Sequence, residues 1–342
     1  MSPSPKKDRF LVLGAGNFGT CLACHLAGLG WTVDLWSRSK TLVDSINSQH
    51  KNPKYLSTIT LAPTIHAINH INAETINDYA GIIVAVPMQA VRETLQLFAQ
   101  HLNTSPLLVS AVKGIEISSS SFPLDVISSV LGKPIADQAV VLSGPSFAIE
   151  VAQKLPTAVV AASKTVSRAE QAQRLFHNSF FRVYTSEDPI GLEVAGALKN
   201  VIAIAAGACA GLGLQTNSMA ALMTRGLAEI TRLGIKLGAN PLTFQGLGGV
   251  GDLILTCSSS KSRNYSLGFR LGQGTELHDA LGQLGSVAEG FTTAKAAHNL
   301  SQKVGVEMPI SEQVYQVLYE KKPVKEALID LINRDAKAEF TV

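Results

Sequence analysis

Arg9-Phe10-Leu11-Val12-Leu13-Gly14-Ala15-Gly16-Asn17-Phe18-Gly19-Thr20 is the stretch on which the reading of this chain turns. A short apolar run suited to a buried strand breaks into G-x-G-x-x-G, and a helical stretch follows over residues 20–29. Each glycine has its own task. Gly14 permits the tight turn, Gly16 has no side chain to hold a pyrophosphate off the backbone, and Gly19 lets helix and strand pack closely. The helix N-terminus then offers unpaired N–H groups to the anion. A glycine turn alone is a weak sign. Here a second strand, Thr32-Val33-Asp34-Leu35-Trp36, completes the βαβ unit in register, so the stretch implies a dinucleotide site.

Outward from this unit, strands and helices alternate. Gly81-Ile82-Ile83-Val84-Ala85-Val86-Pro87 and Leu107-Leu108-Val109-Ser110-Ala111-Val112 are continuous apolar runs, as expected of strands buried on both faces of a parallel sheet. Further strands are expected at residues 140–142, 157–162 and 181–184, with helices over 89–100 and 168–177. Residues 41–81 read as a helix followed by loops. At Glu187-Asp188-Pro189 the texture changes to helical patterns only, with Pro189 suited to a helix start. The expected fold is therefore α/β: a doubly wound, Rossmann-like parallel sheet over residues 1–188, then an all-helical domain over 189–342. Residues 245–252 are read as a flexible glycine turn, and Gly196, Gly207 and Gly211 as points of close helix packing.

Composition narrows the function. A chain of 342 residues with 46% apolar and 16% charged residues has ample material for a core in two domains. A net charge of +3 is too slight to argue for nucleic acid or an anionic membrane. The N-terminal residues 1–8 carry lysines without an apolar segment, so secretion is not expected. The longest apolar run, residues 201–214, is shorter than the ~18 residues of a membrane span and reads as a core helix. Cys21, Cys24, Cys209 and Cys257 make no disulfide framework, and free thiols suit the cytoplasm. The scattered His50, His66 and His70 lack metal-ligand spacing.

Several residues invite chemistry. Ser37 and Arg38 follow the second strand, where the adenosine ribose is met; an Arg there accommodates a 2′-phosphate and favours NADP(H). Asp34, about 20 residues beyond the first glycine, lies inside the strand instead. Lys113 ends a parallel strand, at the sheet edge where ligands bind. Lys199 is a single cation in a nearly apolar run, and an unpartnered buried ammonium is expensive. It suits a proton-transfer role, its pKa lowered by burial or by Lys113; the alternative is a lysine reaching the surface from a helix edge. Ser262-Arg263-Asn264 offers donors for a phosphorylated group, though a mobile Ser-rich loop would look the same. Asp252 would orient a lysine, accept a substrate hydroxyl or cap a helix.

Taken in order, these blocks resemble the soluble NAD(P)-dependent glycerol-3-phosphate dehydrogenases of the bacterial type. The marks are residues 14–20, Val86-Pro87, residues 112–116 and residues 142–148. Ala197-Leu198-Lys199-Asn200, residues 248–253 with Thr256, Ser262-Arg263-Asn264 and Val287-Ala288-Glu289-Gly290 complete them. The resemblance implies Lys199 as proton acceptor, with Lys113, Asp252 and Thr256 in the catalytic group. It implies substrate contacts from Lys113, Gly144, Ser146, Lys199, Asp252, Ser262, Arg263 and Asn264. Cofactor contacts would come from Asn17, Phe18, Arg38, Lys113, Ala148, Arg263, Val287 and Glu289, beside the glycines. It further implies a homodimer, a phosphorylated small-molecule substrate and a role in glycerophospholipid synthesis, while charge and apolar run length leave no expectation of nucleic acid or stable membrane insertion. Asn17-Phe18 stands where Ser or Asn followed by Tyr or Trp is usual, and Ser146 where Thr is common, with chemical type kept. The rivals are a β-hydroxyacid or ketopantoate-type dehydrogenase on the same layout, and a nucleotide-sensing module without catalysis. Intact Lys113 and Lys199 argue against the sensor. Arg38→Ala is expected to weaken NADPH binding more than NADH binding; equal losses in a fluorescence titration of both cofactors would remove the 2′-phosphate argument.

Overall fold

The computed structural model describes residues 8–285, 287–336 and 338–339; the lysine-bearing N-terminal segment lies mostly outside them. The first half alternates as expected: β1 (Arg9–Leu13), α1 (Asn17–Gly28), β2 (Thr32–Trp36), α2 (Lys40–Gln49), β3 (Ile65–Ile68) and β4 (Gly81–Val84). It continues through α3 (Val91–Gln96), β5 (Leu107–Ser110), α4 (Pro123–Leu131), α5 (Lys133–Ala136), β6 (Val140–Ser143) and α6 (Ala148–Ala152). β7 (Thr157–Ala162), α7 (Val166–Phe176) and β8 (Phe181–Ser186) close it. The strands form one sheet in the order β3-β2-β1-β4-β5-β6-β7-β8. The order reverses between β1 and β4, which opens a crevice at their C-terminal ends.

Two features depart from the sequence reading. β3 was passed over as loop; it is a four-residue edge strand in which His66 faces solvent, so no continuous apolar run marks it. The sheet is also not wholly parallel, because β7 runs antiparallel to β6 while β8 is parallel to β7. The link between β6 and β7 contains only the five-residue α6, about 7 Å of helix, too little for a crossover that returns the chain to the same end of the sheet.

From Pro189 onward every regular element among the described residues is helical: α8 (Pro189–Gly211), α9 (Thr216–Lys236), α10 (Asp252–Cys257) and α11 (Arg263–Gly272). α12 (Leu277–Gly282), α13 (Glu289–Val304), α14 (Pro309–Tyr319) and α15 (Val324–Ile332) follow. Asp188 caps α8, accepting from the Gly191 N–H at 2.9 Å, and Pro189 sits at its first turn. α8 is long and apolar enough to cross a membrane, but most of it is buried within the helical half, so its hydropathy is that of a core helix. Residues 245–252 are not the flexible turn the glycines suggested. Leu247–Gly251 winds into a π-helical turn joined to α10, and Gly248 and Gly249 pack tightly because side chains there would strike Leu192 and Phe244.

Gly207 and Gly211 do mark close packing. Side chains on either would strike the carbonyls of Tyr265 and Phe269 on α11, while Gly268 and Gly272 of α11 meet the α8 carbonyls of Ile204 and Ala208. Small residues on both sides bring the two backbones into contact. The pairing sets the start of α11 beside the middle of α8. Gly207→Ala should cost about 3 kcal/mol by overpacking, whereas Gly282→Ala, with open space around it, should be neutral; thermal unfolding of both variants checks the contrast.

Candidate active site

The crevice is lined by the segments that follow the parallel strands, and it encloses about 970 Å³. Gly14, Ala15, Gly16, Asn17 and Phe18 come from the first turn, and Trp36, Ser37, Arg38 and Ser39 from the second strand end. Ala85-Val86-Pro87, Ala111-Val112-Lys113 and Ser146-Phe147-Ala148 supply the later ends. The helical half closes the other side with Lys199, Asn200, Thr256, Ser262, Arg263, Asn264, Val287 and Glu289.

The glycine turn fits a dinucleotide phosphate. Gly14 has φ +110°, and a side chain on it would press on the Ala85 backbone. A side chain on Gly16 would meet no atom within 4 Å and would project into the space a pyrophosphate needs. Gly19 lies outside the lining; a side chain there would strike the Gly14 carbonyl, so its task is packing. Asp34 is not a ribose ligand. It is buried, ion-paired with Arg9 at 2.6 Å and hydrogen-bonded by the Tyr79 hydroxyl. That leaves the strand tip to Ser37 and to the exposed Arg38.

Behind the crevice lining one buried carboxylate joins the two halves: Asp252, expected as a substrate contact, does not itself line the crevice, whereas the two lysines bound to it do. Asp252 Oδ1 accepts from Lys199 Nζ at 2.6 Å and Oδ2 from Lys113 Nζ at 2.7 Å. Lys199 comes from α8, Lys113 from the loop after β5, and Asp252 from the first position of α10. Lys199 Nζ also donates to Thr256 Oγ1 at 2.8 Å, while the Thr256 hydroxyl donates to the Asp252 carbonyl at 2.6 Å. Two of the three Lys199 protons are thus committed, which leaves one for a ligand in the crevice that Lys199 lines. Burial lowers the Lys199 pKa to about 8 against the pull of Asp252, and the Lys113 charge lowers it further. Burial alone would raise Asp252, but the two ammonium groups hold its carboxyl below the usual range.

Gly144 lies behind the lining rather than in it. With φ +145° it turns its carbonyl toward Lys113 Nζ, 3.5 Å away, and also accepts from the Ser146 hydroxyl at 3.0 Å. Ser262 caps α11, its Oγ accepting from the Tyr265 N–H at 3.2 Å, so the start of a ten-residue helix points into the crevice. The Asn264 amide is partly spent: Nδ2 donates to Asn200 at 2.8 Å and Oδ1 accepts from the Gly290 N–H at 2.9 Å. Burial lowers the Arg263 pKa against the opposing charge of Glu289. Burial raises Glu289 to about 7, opposed by a hydrogen bond from the Met88 N–H and by Arg263. Val287 stands half-exposed at the rim.

The sequence reading missed part of this wall. Pro53, Lys54 and Tyr55 line the crevice from the loop after α2, and Lys261 crosses it to pair with Glu150 at 2.6 Å. Only the lysine type signalled either; nothing in residues 41–81 announced a return to the glycine turn. Among the described residues no cluster of His, Cys, Asp and Glu suits a metal.

A Rossmann-type crevice facing a buried lysine with a lowered pKa defines a nicotinamide-dependent dehydrogenase acting on a carbonyl or hydroxyl. The comparisons with known proteins narrow the class. Two family models, the N-terminus and the C-terminus of NAD-dependent glycerol-3-phosphate dehydrogenase, match residues 10–169 and 188–329. The chain is 48% identical to glycerol-3-phosphate dehydrogenase [NAD(P)+] of Geobacter sulfurreducens, over 97% of this chain and 99% of that one. It superposes on the crystal structure of glycerol-3-phosphate dehydrogenase from Coxiella burnetii with a TM-score of 0.91 at 35% identity, covering 96% and 100% of the two chains. Glycerol-3-phosphate dehydrogenase from Saccharomyces cerevisiae follows with 0.80 at 28%, covering 95% and 99%. The chain belongs to the NAD-dependent glycerol-3-phosphate dehydrogenase family, as the resemblance implied, and the rival readings are not favoured.

The lysine pair makes a pH prediction. Lys199 must be an ammonium to protonate a forming alkoxide and an amine to take the proton back. The kcat/KM for reduction should therefore fall, and that for oxidation rise, as pH passes about 8. Asp252 raises the Lys199 pKa, so Asp252→Asn should move both limbs to lower pH; limbs that stay in place would mean that another group titrates.

Proposed function

We propose that the chain catalyses the reversible NAD(P)H-dependent reduction of dihydroxyacetone phosphate to sn-glycerol 3-phosphate, feeding glycerophospholipid synthesis. The observation that carries the reading is the Lys199–Asp252–Lys113 bridge, whose two lysines line a dinucleotide crevice, in a chain of this family. The bound nicotinamide supplies or accepts the hydride. Gly14, Gly16, Asn17 and Phe18 hold the pyrophosphate side, with Gly19 supporting the turn; Arg38 favours NADP(H), and Ala148, Val287 and Glu289 complete the cofactor wall.

In reduction, the Lys199 ammonium passes its third proton to the substrate oxygen as hydride reaches the carbon. The neutral amine left behind keeps two N–H bonds for Asp252 and Thr256, and its lone pair faces the new hydroxyl. The same lone pair is the base in oxidation. Lys113, held by Asp252 and the Gly144 carbonyl, directs its remaining donor at the carbonyl oxygen and stabilises developing negative charge. The phosphate goes to the start of α11, where Ser262, Arg263 and the free N–H of Asn264 join the helix N-terminus, with Ser146 opposite.

The division at residue 188 is supported by the Asp188 cap, which starts the first helix of the helical half. The homodimer rests on the family resemblance, and the cytoplasmic setting on the free thiols of Cys21, Cys24, Cys209 and Cys257. The burial of α8 supports a protein without stable membrane insertion.

The test is turnover with dihydroxyacetone phosphate, using NADH and NADPH side by side, against ketopantoate and 3-hydroxy acids as controls. Lys199→Met should lower kcat by at least ~10²-fold with cofactor affinity largely kept. Near-normal turnover by that variant would place the proton elsewhere.

A further inference from the structure

The loop between α2 and β3 carries one fully buried polar side chain, that of Asn52. Its amide does more than close a local turn. Nδ2 donates to the Ala15 carbonyl at 3.0 Å and to Thr20 Oγ1 at 2.8 Å, and Oδ1 accepts from the Tyr55 N–H at 3.0 Å. Both amide protons and one acceptor site are used, and they reach three pieces of the cofactor crevice: the glycine turn, the first turn of α1 and the loop wall. We propose that Asn52 is a positioning residue for the dinucleotide, setting the donor geometry of the glycine turn and the place of the Lys54–Tyr55 wall through one side chain. The proposal rests on the dinucleotide reading of the crevice.

The physical argument runs through the Ala15–Gly16 peptide. A trans peptide is planar, with its C=O and N–H pointing in opposite directions. No peptide among the described residues is cis. A hydrogen bond that fixes the Ala15 carbonyl on one side therefore fixes the Gly16 N–H on the other. Gly16 lines the crevice and opens onto empty space, so its N–H is among the groups a pyrophosphate would use. Without Asn52 that plane loses its side-chain tether, and Gly16 on its far side is the residue type that resists rotation least.

The third bond extends the effect. Tyr55 and Lys54 line the crevice, and the Lys54 ammonium lies 5.5 Å from the centre of the Tyr55 ring. The loop is closed behind them by the Leu61 N–H bonding to the His50 carbonyl at 2.8 Å and by the Lys51–Thr60 bridge. Its base is thus pinned to the α2 end, and Asn52 pins its crest to the turn. Fully satisfied buried amides rigidify what they join, since any displacement strands a polar group without water.

Asn52→Asp keeps Oδ1 for the Tyr55 N–H but turns the Ala15 and Thr20 donor into an acceptor facing a carbonyl; Asn52→Ala removes all three bonds. Both are expected to raise the Kd of NADH and of NADPH at least ~10-fold, read by fluorescence titration, while kcat at saturating cofactor falls less than about threefold. Thr20→Val removes only the Asn52–Thr20 bond and leaves the Ala15 tether, so its rise in cofactor Kd is expected to be smaller than that of either Asn52 variant; a rise as large as theirs would count against the Ala15 tether. Wild-type affinity in the Asn52 variants, or losses of kcat and affinity in equal measure, would overturn the proposal. Should the variants fail to fold, hydrogen exchange on the wild-type enzyme decides. NADH is expected to protect residues 50–61 together with residues 14–20, and an unprotected loop beside a protected turn would count against Asn52. Failure of the wild-type protein to bind either cofactor would instead sink the dinucleotide reading itself.

Discussion

One buried carboxylate holds the two halves of this molecule to a common purpose. Asp252 shares its oxygens between a lysine from the sheet half and a lysine from the helical half, and it has almost no contact with solvent. A lone buried carboxylate would be protonated or avoided, and a buried ammonium beside a half-buried second one would be repelled by it. Together the three carry one net positive charge, placed where a carbonyl oxygen becomes an alkoxide. The arrangement suits the proton-carrying role proposed for Lys199 near neutral pH. Burial and Lys113 push Lys199 down, Asp252 holds it up, and the balance falls at about 8.

The elements that deliver these three residues are stiff for different reasons. Lys113 follows a central strand and is turned toward Asp252 beside a glycine with φ +145°. Lys199 sits mid-way along a 23-residue buried helix. Asp252 begins a helix whose preceding π-helical turn is packed against Leu192 and Phe244. Even Lys113, in the loop after β5, is held by its bonds to Asp252 and the Gly144 carbonyl. Side chains held this way lose little entropy when the substrate arrives, which is the usual advantage of a preorganised polar site.

Much of this was legible in the chain, and the parts that were not share a cause. The glycine turn was readable because backbone conformation and close approach are local demands that only glycine meets. Lys199 was readable because a charge in an apolar run needs an explanation. Asp252 was ambiguous, since its partners stand 53 and 139 residues away and an aspartate at a helix start is ordinary. Asn52 was invisible for the same reason: in a loop of Asn, Pro and Lys it looks like any turn residue, and its bonds to Ala15 and Thr20 cross more than 30 residues. The direction of β7 was missed because apolar periodicity describes a strand but not its heading. Asp34 shows the converse, a residue at the expected spacing that burial and Arg9 withdraw from the ligand.

The glycine contact between α8 and α11 makes the helical half a gauge for molecular length. Main chain rests on main chain there, so the gap between the amine on one helix and the start of the other, where the phosphate is proposed to sit, cannot be widened by a rotamer change. A three-carbon skeleton with its reactive centre adjacent to the phosphoester arm is measured against a fixed span rather than a shaped pocket. Redesigning the enzyme for longer phosphorylated ketones would accordingly mean re-spacing two helices, a change of architecture and not of lining.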